Sequence, residues 1–139
     1  MFWDGVINFE PKEFDSPDVP GSGVNMKIGF MHMLQSLRVN CGFKLLVDSG
    51  FRTPAHNTAV GGEVNSAHLT GEAADIRAIG PRTRFVIISN AIRLGFRRIG
   101  IGDTFVHLDM SLTLDQDVMW TYPTGTTKKI PTVTVTTTI

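Results

Sequence analysis

Glycine and proline interrupt this chain at short intervals. Fourteen glycines and seven prolines fall among its 139 residues, so only short helices and short strands fit between the breaks. The longest apolar runs, such as Phe85-Val86-Ile87-Ile88, are far below the ~20 residues that span a bilayer. The length suits one domain on a prior of about 100–200 residues each. A globule of this size buries roughly 68% of the surface its unfolded chain exposes, enough for a core that needs no structural metal.

Residues 1–24 carry Pro11, Pro17, Pro20, Gly21 and Gly23 with acidic residues between them, which reads as an extended, turn-rich entry. Phe2, Trp3, Phe9 and Phe14 in that arm are expected to be buried across the domain. From Asn25, a candidate N-cap, Met26, Phe30, Met33, Leu34 and Leu37 fall at helical spacing up to a stop at Gly42. Residues 44–49 (KLLVDS) suit a buried strand, and 50–67 a long loop with one helical turn. Residues 73–78 suit a second strand. Pro81 opens a helix expected to carry Phe85, Ile88, Ile92 and Leu94 inward and to close at Gly95. Three short strands follow, over 96–101, 104–110 and 118–122, with a Gly102-Asp103 turn between the first two. The Thr/Val-rich segment 123–139 reads as a frayed tail or surface strand, or else as an arm that pairs with another copy.

Composition removes several classes. Lys plus Arg is 13 and Asp plus Glu is 13, without the basic excess of a dedicated nucleic-acid binder. The single cysteine, Cys41, makes no internal disulfide and cannot build a four-cysteine zinc site, which leaves a His/carboxylate site open. The first residues, Met1-Phe2-Trp3-Asp4-Gly5, lack the basic and apolar regions of a signal peptide.

The informative residues are His68, Asp75, His107 and Asp109. Two histidines and a carboxylate are the ligand set of a catalytic zinc that keeps a fourth position open. His68 and Asp75 can meet if the chain bends at Gly71. In the strand Phe105-Val106-His107-Leu108-Asp109, alternation puts His107 and Asp109 on one face, where burial is costly unless something pairs with them. Taken singly, each histidine is more often a satisfied core or surface group than a ligand.

The run His68-x-x-Gly71-x-Ala73-x-Asp75 is preceded by Ser49-Gly50-Phe51-Arg52-Thr53-Pro54-Ala55-His56-Asn57 and followed by Phe105-Val106-His107-Leu108-Asp109. Together these resemble the zinc D-Ala-D-Ala carboxypeptidase family, which includes peptidoglycan endopeptidases and phage endolysins and shares its fold with the hedgehog signalling domain. The resemblance runs from Glu13-Phe14-Asp15-Ser16-Pro17-Asp18 to Trp120-Thr121-Tyr122, over about residues 9–122, and is nearest to the short phage-type branch. It implies zinc held by His68, Asp75 and His107, a substrate carboxylate gripped by Arg52, and a bound peptide oriented by Ser66. Without the family, a surface salt bridge is the simpler reading of Arg52. Several branches carry an acid three residues before the last histidine, where this chain has Thr104. Asp109 is then the first candidate for the general base, or else orients His107, with Asp103 in reserve.

The expectation is an α+β domain over residues 1–122, with helices on one face of a small, mostly antiparallel sheet and the metal in a cleft on the other. Its function, as the resemblance implies, is zinc-dependent hydrolysis of peptidoglycan stem peptides or cross-links. No nucleic-acid partner and no membrane span are expected. Made in the cytoplasm, the protein would reach the cell wall by phage lysis or on the virion, and the tail could join copies. The rival reading is a virion or structural domain that keeps the fold without turnover. His56, His32 and the three arginines in 93–98 are assigned to loop bracing, surface and solvent respectively.

Overall fold

Strand alternation decides the layering of the computed structural model, which describes residues 3–126. Five strands, β1 (Val47–Ser49), β2 (Ala73–Arg77), β3 (Arg98–Ile101), β4 (Phe105–Asp109) and β5 (Val118–Thr121), form one sheet in the order β1-β2-β4-β3-β5. Pairing is antiparallel except between β3 and β5. The exception follows from connectivity: β3 and β4 make a hairpin, and the reversal after β4 sends β5 back along β3.

Ala74, Ile76, Ile99, Val106 and Leu108 face one side and join the core. There they meet Phe30, Met31, Leu34 and Leu37 of α1 (Ile28–Cys41) and Ile87 and Ala91 of α3 (Pro81–Leu94). The arm closes this core as its aromatics require. Trp3, Phe9 and Phe14 are buried, with Trp3 and Phe9 meeting Phe14 edge-on at 5.7 and 5.6 Å between ring centroids. Phe2 and the segment 127–139 lie outside the described residues. No helix among the described residues is long and apolar enough to cross a membrane.

Three expectations about elements are corrected. The first helix is capped at Lys27 rather than Asn25 and begins at Ile28, because Ser22–Asn25 forms a separate 3-10 turn and Met26 is already buried before the helix starts. The segment 44–49 supplies only β1, a half-buried edge strand paired on one side to β2. On α3, Ile88 and Leu94 pack against the core as expected, but Phe85 and Ile92 point to solvent, at 70% and 54% exposure, and Ile87 and Ala91 face the core.

Candidate metal centre

The sheet's second face carries the polar residues in rows. Directly paired residues share a face, and the register aligns Ser49 with Asp75, Asp75 with His107, His107 with Gly100, and Gly100 with Trp120. The adjacent row pairs Asp109 with Ala73 on one side and Arg98 on the other. Above these rows opens a cleft of about 290 Å³, walled by residues of the 61–68 segment, Arg52, Arg98, Leu114, Trp120 and Tyr122. The expected position is met: the cleft lies opposite α1 and α3, with the loop before β2 over it.

His68 reaches this face from a 3-10 turn, Ala67–Thr70. Ser66 caps the turn, its Oγ accepting the His68 N–H at 3.2 Å. The bend expected at Gly71 is there. Its φ of +75° is in the left-handed region, and a Cβ at that position would stand 2.2 Å from the Asn25 carbonyl oxygen. The chain therefore turns at Gly71 and enters β2, which delivers Asp75 beside His68.

The candidate ligand atoms of His68, Asp75 and His107 lie within 4.8 Å of one another, and all three residues are buried. His68 Nδ1 lies 2.7 Å from the Gly50 carbonyl, to which it donates. That leaves Nε2 without a proton, and this buried atom makes no hydrogen bond. Burial first, then the Arg52 charge, push the His68 imidazole down to about 4, so it is neutral at pH 7. An unpaired buried lone pair costs stability unless a cation takes it. His107 Nδ1 lies 2.9 Å from Asp75 Oδ1, and His68 Nε2 lies 3.3 Å from Asp75 Oδ2. Two imidazole nitrogens and a carboxylate converging in this way fit zinc.

Around this trio the other candidates take distinct places. Arg52 is no surface group: it is 2% exposed. Its Nε donates to Ser49 Oγ, Nη1 to Asn57 Oδ1 and Nη2 to Asp75 Oδ2, at 3.1, 3.0 and 3.3 Å. Asp109 stands behind His107, with Oδ2 2.7 Å from Nε2, and its Oδ1 accepts from Arg98 Nε and the Ser111 N–H. Burial alone would lower the His107 pKa, but the hydrogen bonds to Asp109 and Asp75 overcome it and raise it. Burial alone would raise the Asp109 pKa, yet the His107 bond and the Arg98 charge hold it below the carboxylate range.

Asp103 is not in the cleft wall; its Oδ2 accepts the Gly125 N–H at 3.0 Å. Thr104 is exposed. His56 sits in α2 (Pro54–Ala59), the helical turn expected in the long loop, where Thr53 Oγ1 accepts its N–H. His32 is exposed, its Nε2 2.8 Å from the Asp4 carbonyl, where it ties down the arm.

Two site residues escaped the sequence reading. Arg98, assigned to solvent, is drawn in against Asp109 and only partly exposed, with 12% of its side chain accessible. Alternation in Arg98-Ile99-Gly100-Ile101 was the available signal, since it sets Arg98 and Gly100 on one face and the isoleucines on the other. Trp120 lies across Gly100, where a Cβ would stand 2.6 Å from the indole Nε1, and its ring reaches His107 at 5.5 Å between centroids.

Residues 8–109 match the model of the family described as Peptidase M15. No curated protein matches the chain.

Proposed function

The chain belongs to the peptidase M15 family of zinc-dependent, D-Ala-D-Ala carboxypeptidase-like metallopeptidases, and we propose that it hydrolyses peptide bonds in the stems or cross-links of bacterial peptidoglycan. The observation that carries this reading is the convergence of His68 Nε2, His107 Nδ1 and the buried Asp75 carboxylate at the base of a cleft that both histidines line. These three residues would hold zinc, which when bound supplies Lewis acidity for a carbonyl and for water.

Around it each side chain has a task. Arg52 balances Asp75 and, facing the cleft, offers its remaining N–H groups to a substrate carboxylate or carbonyl. Ser66 holds the His68 turn through its oxygen and retains a hydroxyl proton for a bound peptide. Asp109 was the first candidate for the general base. Its geometry favours the orienting role instead, because three N–H donors occupy its two oxygens. A phage lytic or entry role rests on the resemblance to the short phage-type branch.

The test is metal content together with release of muropeptides from purified sacculi. Wild type is expected to bind one zinc and release peptide fragments, and His68→Ala to lose most of the metal and the activity. Full zinc stoichiometry in the His68 variant would refute the site.

The second reading, a cell-wall or virion domain without turnover, has one observation in its favour. Position 104, where related branches carry an acid, is an exposed threonine. A zinc-loaded wild type inert toward walls of several cross-link chemistries would select it.

A further inference from the structure

The guanidinium of Arg98 is held at three points. Nε donates to Asp109 Oδ1 at 2.8 Å, Nη1 donates to the Asp115 carbonyl at 2.5 Å, and Cζ lies 5.0 Å from the Trp120 ring centroid. The Ser111 N–H reaches the same Asp109 oxygen at 3.1 Å. With Oδ1 fixed by two donors, Oδ2 has one direction left, toward His107 Nε2 at 2.7 Å.

We propose that Arg98 is a positioning residue for His107. By locking Asp109 it keeps the His107 proton on Nε2 and leaves Nδ1 for the metal. This rests on the zinc reading above. Asp109 is 1% exposed, so its oxygens must find their donors within the protein. Arg98 and the Ser111 N–H together take Oδ1, which sets the plane of the carboxylate so that Oδ2 meets Nε2. Without the arginine the carboxylate can rotate away, and the imidazole loses the partner that fixes its orientation. Trp120 completes the device. Its ring lies beneath the guanidinium and beside the imidazole, so neither plane can swing freely. Lysine would supply the charge but not the fork that reaches Asp109 and Asp115 together.

The experiment is a double-mutant cycle on the full chain, with Arg98→Gln, Asp109→Asn and both together. Zinc alone is the probe, titrated by chelator competition, and thermal unfolding checks the fold. Arg98→Gln is expected to weaken zinc about tenfold, and the double variant to bind no more weakly than Asp109→Asn, since the arginine acts through the aspartate. The cobalt-substituted protein should show altered visible bands in Arg98→Gln, and nitrogen NMR of the zinc-loaded wild type should find the His107 proton on Nε2. Where Arg98→Gln does not fold, the cycle is run with Arg98→Lys, for which a smaller weakening is expected. Wild-type affinity in the arginine variant, or losses that simply add in the double variant, would overturn the proposal and leave the metal reading intact. A wild type that binds no zinc would overturn both.

Discussion

At residue 71 the backbone must be left-handed and also pass against another strand of chain, and only glycine meets both demands. Gly71 joins the turn that carries His68 to the strand that carries Asp75. Gly71→Ala forces a Cβ to within 2.2 Å of the Asn25 oxygen at a φ that alanine resists. A stability loss of about 1–3 kcal/mol is expected from the backbone strain, with the clash adding to it. Because the shift falls between two ligands, zinc affinity should drop as well. Denaturant unfolding and a chelator titration check the two effects, and an unchanged midpoint would show that the turn can relax. At this scale His68, Asp75 and His107 were legible as a candidate ligand set, since ligand chemistry belongs to residue type and the resemblance singled out these three, and the fold brings them together. The surroundings of Arg52 were not. Its three partners come from positions 49, 57 and 75, and no local pattern says that a charged residue after a glycine-bounded strand will be buried.

The element most instructive in its failure is α3. Its boundaries followed from Pro81 and Gly95, which act locally, but its inward face followed only in part: Ile88 and Leu94 pack against the core, Phe85 and Ile92 do not. Phe85, Val86, Ile87 and Ile88 are consecutive apolar residues and cover every side of a helix, so periodicity cannot choose among faces. The sheet chooses by lying on one side, which buries Ile87 and Ala91 and leaves Phe85 and Ile92 in solvent. Ile87→Ala is therefore expected to cost about 2–5 kcal/mol, the usual loss for a large side chain removed from a packed core. Phe85→Ser should change stability by no more than about 0.5 kcal/mol. Denaturant midpoints of the two variants decide it, and a larger loss at position 85 would mean that this face is covered in solution. The strands were easier to read, because a period of two leaves only two faces. Once Val106 and Leu108 are assigned to the core, His107 and Asp109 have nowhere else to go.

Across the whole molecule the arm and the long loop brace each other and so hold the wall of the site that the loop provides. Phe51 N–H bonds to the Phe14 carbonyl, Thr53 N–H to Ser16 Oγ, and Thr53 Oγ1 to Asp18 Oδ2. This explains why the stretch Glu13-Phe14-Asp15-Ser16-Pro17-Asp18 belongs to the resemblance although none of its residues walls the cleft. Trp3, at 1% exposure, anchors the arm from the far side of Phe14. Trp3→Ala should cost about 3–5 kcal/mol, and cooperative unfolding should carry the metal site away with it. If zinc affinity survived while the arm became sensitive to protease, the arm would be an accessory to the site rather than part of its foundation. The division between sequence and tertiary structure follows from range. Breakers, caps and alternation act over a few residues, so the chain alone determined the α+β class, the approximate elements, the pairing of His107 with Asp109 on one face and the ligand types. Strand order, the parallel β5, the Gly50 carbonyl that meets His68 Nδ1, the burial of Arg52 and the place of Arg98 between Asp109, Asp115 and Trp120 were decided only by folding. Each joins segments distant along the chain, and the free energy that selects them comes from the packing of the whole core.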